Sequence, residues 1–213
     1  MDLSSELIHS LLPLYMAVGL GASALVIGLI EGVAEALALI VKVFSGVISD
    51  WFQRRKPLVL FGYGLAALTK LAFPLAPTLG WIVGARFADR VGKGIRGAPR
   101  DALIADITPA DVRGASFGLR QALDTVGGVG GPLLAVGAMA YFAGDFKSAF
   151  WVAVVPAAIC VLVLIFGVEE PDRSGAARPK KHGLSWSDVG RLGHRYAIVV
   201  AVADPRGRGF EMI

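Results

Sequence analysis

Six apolar blocks, separated by short polar stretches, constrain this 213-residue chain more than any other feature. They fall near residues 7–20, 24–48, 58–76, 79–105, 114–142 and 147–168. A hydrocarbon core of roughly 30 Å takes about 20 helical residues to cross, so five of the blocks read as full spans and the first as a short one. Their recurrence along the whole chain excludes a signal peptide as the explanation. The expectation is an all-α integral membrane protein whose first partner is the lipid bilayer. The 27 glycines would weaken soluble helices, but in lipid small residues let helix backbones approach closely. The one cysteine, Cys160, lies within an apolar block, which leaves neither an internal disulfide nor a cysteine-based metal site. No metal or other cofactor is indicated.

The net charge of +4 is not spread as it is in a nucleic-acid binder, and no nucleic-acid partner is expected. Basic residues gather between blocks, at Arg54, Arg55 and Lys56, at Arg113, and at Arg173, Arg178, Lys180, Lys181, Arg191 and Arg195. The alternate loops, 19–23, 77–80 and 144–148, hold only Lys147. By the positive-inside rule the basic loops are cytoplasmic. That places the N-terminus and residues 169–195 in the cytoplasm of a multi-pass protein of the cell (inner) membrane. Residues 1–168 form the transmembrane bundle, and 169–195, rich in Pro, Gly, Ser and basic residues, read as a cytoplasmic linker. Tyr196 to Ala203 open another apolar run, but eight residues cannot cross a bilayer, so 196–213 read as an incomplete seventh span and irregular tail. The first block starts among Asp2, Ser4, Ser5, Glu6 and His9 with no lead-in. The expectation is a fragment with a clipped first helix and an aborted seventh.

Between the second and third blocks, Gly46-x-x-x-Asp50 is followed by Arg54, Arg55 and Lys56. Here the chain resembles the major facilitator superfamily, whose signature loop reads G-x-x-x-D-(R/K)-x-G-(R/K)-(R/K). Gly46, Asp50, Arg54 and Arg55 match, while Trp51 and Gln53 replace a cation and a glycine. The resemblance implies a gate, in which Asp50 at a helix end pairs with cations and holds two helices together. In the fourth block Arg90-x-x-Lys93-Gly94-x-x-Gly97-Ala98 is similar to the superfamily's R-x-x-q-G-x-g-a-a, with Lys93 in the Gln place and Arg96 in a small-residue place. In the fifth, Gly127-x-x-x-Gly131-Pro132 resembles the G-x-x-x-G-P of its antiporter branches, with Ala135 and Val136 where paired glycines often follow. Pro132 removes a backbone hydrogen bond and kinks the helix, while Gly127 and Gly131 admit a close neighbour.

Charges within the blocks supply the other candidates. The fourth carries Arg86, Asp89, Arg90, Lys93, Arg96, Arg100 and Asp101, a density that is costly against lipid and so has to face protein or water. At about 100° per residue, Arg86, Asp89, Arg90, Lys93 and Arg100 fall on one side, as a cavity-lining stripe. Glu31 and Glu35 lie one turn apart in the second block, and Asp124 follows Arg120 by one turn in the fifth. A carboxylate gains a proton when desolvated and loses it beside a cation, so each of these can serve proton coupling as a cavity opens to either side. The alternative is a static ion pair that neutralises Lys42, Arg120 or Arg90. Glu6 and His9 share one face of the first block.

The resemblance covers nearly residues 1 to 168, with three motifs in the expected order, as the N-terminal six-helix half of the fold. It implies a fold of two such halves, each built from two inverted three-helix repeats, with solute at the midplane and alternating access by rocking. The implied function is proton-coupled secondary active transport of a small solute, not an enzymatic reaction, with Arg86, Arg90 and Arg120 as cations for solute or coupling. A cationic cavity suits an organic anion, or a zwitterion such as a metal chelate. A multidrug-type proton antiporter exporting drug-like compounds fits the fifth-block motif equally, and an inactive transporter fragment is a third reading. A second half or another chain would be needed to close the cavity. A membrane phosphotransferase is disfavoured, because D-x-x-D-G-x-x-A-R is absent, Asp89 being followed by Arg90 and Asp106 and Asp111 lying beside Pro109.

Overall fold

The structure is a computed structural model that describes residues 1–52 and 55–168. Among these residues every regular element is helical: α1 (Asp2–Leu14), a π-helical turn (Tyr15–Gly19), α2 (Ala24–Phe52), α3 (Lys56–Ala72), α4 (Leu79–Ile107), α5 (Arg113–Tyr141) and α6 (Phe146–Gly167). Five of these helices coincide with one apolar block each, while α1 starts at Asp2, ahead of the first block, and reaches its far end only with the π turn. The expected linker 169–195 and seventh run 196–213 lie outside the described residues, as do Gln53 and Arg54.

The helix boundaries follow from local chemistry. Pro57 sits at the start of α3, where its missing N–H would have no partner anyway. The Thr78 side chain caps α4 by accepting from the Trp81 N–H, and the Asp145 carboxylate caps α6 by accepting from Lys147 and Ser148. α4 ends at Ile107 because Thr108, forced to extended backbone by Pro109, cannot continue it. Pro13 lies just before α1 loosens into its π turn, a site where the regular hydrogen-bond ladder is already interrupted. α5 runs as one helix through Pro132.

α4 is held between α2 and α3, α1 lies against α5 and α6, and α3 also meets α6. Exchanging α1–α3 with α4–α6 maps these contacts onto one another: α2 on α4 becomes α5 on α1, and α3 on α4 becomes α6 on α1. That is the pairing two three-helix repeats produce. Small residues make the close crossings. A Cβ at Gly62 would lie 2.8 Å from the Gly92 carbonyl oxygen, and one at Gly94 would lie 2.7 Å from that of Ala38. Gly127 and Gly131 of α5 similarly admit α1, at Leu3 and Glu6. The buried apolar centre joins Leu7, Leu12, Met16, Phe73, Ile82 and Phe150. There the Tyr15 ring stands edge-on to Phe150, with centroids 5.5 Å apart.

α2, α5 and α6 are long and apolar enough to cross a membrane by length and composition alone. α3 has 17 residues, and α4, at 29, is interrupted by charge, so the five full spans read from the blocks do not all stand out unaided. The reason is that α4 buries its charges against protein on two sides. The outward faces of α2 and α5 carry exposed Val43, Val47, Val126, Val129 and Leu133, side chains suited to hydrocarbon.

Candidate functional site

Two carboxylates of α2 face two arginines of α4, one helical turn apart in each case. Arg86 Nη2 contacts both Glu31 Oε2 and the His9 ring of α1. One turn on, Arg90 Nη1 lies 2.9 Å from Glu35 Oε1, which is also 3.7 Å from His9 Nε2, while Lys93 Nζ is 3.9 Å from Glu35 Oε2. The sequence makes this ladder possible because residues four apart on a helix lie one above the other. It becomes real because Gly94 lets α4 approach the α2 backbone.

Asp89 points elsewhere. Its Oδ1 is 2.7 Å from Lys70 Nζ and 3.3 Å from Thr69 Oγ1, both on α3, and its Oδ2 is 3.9 Å from Arg86 Nη1. The expected single stripe on α4 therefore divides: Arg86 and Arg90 turn to α2, and Asp89 turns to α3. The side chains of Lys70, Arg86 and Asp89 are 1%, 1% and 4% exposed, whereas those of Glu35 and Lys93 are half exposed. Around this centre Lys70, Arg86, Arg90 and Lys93 face Glu31, Glu35 and Asp89, with Glu6 near Lys93. Within the described residues Arg86 Nε, Arg90 Nε, Arg90 Nη2 and Glu31 Oε1 are buried without a hydrogen bond. Such donors, closed to solvent here, can take a solute's anionic group once the helices part.

A second charged cluster lies toward the N-terminal end of α1. A cavity of about 360 Å³ is lined by Asp2, Tyr63, Arg100, Arg120, Asp124 and Gly127, among others. Arg120 Nη1 bridges Asp124 Oδ2 at 3.3 Å and Asp101 Oδ1 at 3.4 Å. Arg96, expected to face protein or water, is buried over the Tyr63 ring, 4.6 Å from its centroid, and is 4.0 Å from Asp2. Arg120 and Asp124 are thus paired with each other and are not part of the Arg86–Arg90 ladder.

At the end shared by α2 and α4, Arg55 Nη2 is 3.6 Å from Asp50 Oδ1 and Arg55 Nε is 2.7 Å from Asp106 Oδ2. Arg55 therefore ties the end of α2 to the end of α4, and a Cβ at Gly46 would touch that of Ala98 at 3.4 Å. Arg54 lies outside the described residues. Gly127 and Gly131 form the seat of α1, and Gly127 also lines the cavity beside Asp2. Among the described residues no group of three His, Cys, Asp or Glu is placed to hold a metal ion.

Lys70, Thr69, Tyr63 and Asp106 were not among the residues expected from the sequence. Lys70 had a signal: a lysine inside an apolar block demands a buried partner.

The Major Facilitator Superfamily model matches residues 1–204. An uncharacterized MFS-type transporter of Methanocaldococcus jannaschii is 34% identical over 175 residues, covering 81% of this chain and 43% of that protein. A probable galactarate/D-glucarate transporter of Escherichia coli is 31% identical over 160 residues, covering 70% of this chain and 34% of that protein. Among solved structures, a peptide transporter, POT, in complex with sulfate superposes with a TM-score of 0.66 at 18% identity, covering 97% of this chain and 44% of that one. The chain spans less than half the length of the relatives it matches. Six helices, their exchange-related packing and the match over nearly the whole chain lead to one conclusion: this chain belongs to the major facilitator superfamily.

Proposed function

We propose that the chain is the N-terminal half of a secondary active transporter that carries a small organic anion across the cell's inner membrane by alternating access, coupled to protons. The observation that carries this reading is the ladder of Glu31 with Arg86 and Glu35 with Arg90, in which buried guanidinium donors are left open. An anionic solute group would complete those donors. Glu31 and Glu35, released from their arginines in turn, would take up and give back the proton. The two arginines of the ladder favour an organic anion or a zwitterion over a cationic drug. The similarity to a protein named for two dicarboxylate sugar acids points the same way. The contacts of Arg55 with Asp50 and Asp106 serve as the cytoplasmic gate, to which the sequence motif adds Arg54, and the N-terminus and residues 169–195 lie in the cytoplasm.

The test uses proteoliposomes holding the chain, alone and together with the C-terminal half of the Methanocaldococcus jannaschii relative, with radiolabelled galactarate as probe. Uptake driven by an imposed pH gradient and abolished by Arg90→Ala supports the reading. Uptake no greater than in protein-free liposomes, in both preparations and across a panel of carboxylates, overturns it.

A further inference from the structure

We infer that Lys70 is a positioning residue: by neutralising Asp89 from α3, it keeps the Arg86 guanidinium committed to Glu31. The Lys70 ammonium is engaged at 2.7 Å by Asp89 Oδ1, with the side chain enclosed by protein. Its effect travels through the carboxylate. Asp89 presents one oxygen to Lys70 and Thr69 and the other to Arg86, which is three residues earlier on the same helix and 3.9 Å away. Arg86 in turn reaches Glu31 and His9 with its second terminal nitrogen. The chain of charges therefore runs from α3 through α4 to α2 and α1.

At 3.9 Å the Asp89–Arg86 contact is longer than a hydrogen bond, so with Lys70 present Asp89 makes only a loose claim on Arg86. Without Lys70, Asp89 becomes a buried carboxylate whose nearest cation is Arg86. A desolvated charge takes the nearest opposite charge because its isolation costs more than any other arrangement. Arg86 then swings along its own helix to Asp89, and Glu31 loses its cation. The inference rests on the transporter reading only for its consequence, that Lys70 sets when Glu31 is free to take a proton. The geometry itself is testable without any solute.

Purified chain in detergent is treated at neutral pH with dicyclohexylcarbodiimide, an apolar reagent that attacks protonated carboxyls. Modification of Glu31 and of Asp124 is read by peptide mass spectrometry. In Lys70→Met, labelling of Glu31 should rise roughly tenfold as its guanidinium partner turns to Asp89, with Asp124 unchanged. The double variant Lys70→Met/Asp89→Asn removes the competing carboxylate as well, so labelling should return to the wild-type level. Should Lys70→Met fail to fold, Lys70→Gln keeps a hydrogen-bond donor for Asp89 while removing the charge, and the same rise is expected. A merely structural lysine predicts that Glu31 and Asp124 rise together and that the double variant is no better than the single. That result, or unchanged Glu31 labelling in a folded single variant, overturns the inference. Absence of galactarate uptake would count against the proposed function and would leave this labelling result standing.

Discussion

Asp89 is the residue on which most of the buried charge converges, meeting Lys70, Thr69 and Arg86 from two helices. Removing one member of a buried pair strands the other and costs about 3–5 kcal/mol, whereas removing both is often close to neutral. Asp89→Ala strands Lys70, which has no second carboxylate within ion-pair distance among the described contacts. Lys70→Met leaves Asp89 with Arg86 at hand. Asp89→Ala should therefore lower the apparent unfolding temperature in detergent more than Lys70→Met does; equal or reversed losses would contradict this partition of charge. Glu31, Glu35, Arg86 and Arg90 were legible in the sequence because an ionisable group at hydrocarbon depth is chemically out of place and has to be explained. Their partners were only partly legible. A helical wheel puts Arg86, Asp89 and Arg90 on one side, but which of them meets α2 and which α3 depends on neighbours that the wheel does not contain.

The positions of the helices were legible from block length, while the local stops at Pro57, Thr78, Pro109 and Asp145 sharpened their ends only in the structure. The partner of a small-residue motif is a non-local matter, and so α1 as the occupant of the Gly127–Gly131 seat appeared only in the packed bundle. The register of α2 on α4 is open to direct test. A Cβ at Gly46 lies 3.4 Å from that of Ala98, close to the lower end of the about 3.5–4.5 Å that a disulfide spans. Gly46→Cys with Ala98→Cys, in a Cys160→Ala background, should cross-link under mild oxidation, as read by mass spectrometry of the joined peptides. No cross-link would place the two helices in another register. At the head of α6, the Ser148 hydroxyl and the Lys147 and Ser148 amides donate to Asp145 at 2.5, 3.1 and 3.3 Å. The Ser148 hydroxyl above all holds this carboxyl below its ordinary range. A depressed carboxyl stabilises the folded helix end above that range, and the contribution is lost as pH falls through its folded value. Hydrogen exchange at Lys147 and Ser148 should therefore speed up, relative to neighbouring amides, as the solution is acidified. Asp145→Asn should abolish that pH response, and its persistence would rule out this cap as the cause.

For the molecule as a whole, the six-helix plan was legible because a bilayer forces apolar length into sequence, and the three motifs fixed the order of the helices. The proposed sidedness, with the basic loops in the cytoplasm, has a clean experiment. Arg113 and Lys147 are both exposed, at opposite ends of α5 and beyond. In intact cells a membrane-impermeant maleimide should label Lys147→Cys, and Arg113→Cys only after lysis, again without Cys160; the reverse pattern would invert the topology. The burial of charge in α4 also bears on how the protein is made. A single Arg, Lys or Asp at the centre of a span costs about 2.5–3.5 kcal/mol during insertion, and α4 brings Arg86, Asp89, Arg90 and Lys93 together. Offered to the bilayer by itself, α4 would be refused. Its counter-charges Glu31, Glu35 and Lys70 belong to α2 and α3, which emerge from the ribosome first. Synthesis from N- to C-terminus thus delivers the receptors before the helix that needs them, and the fold carries its own order of assembly.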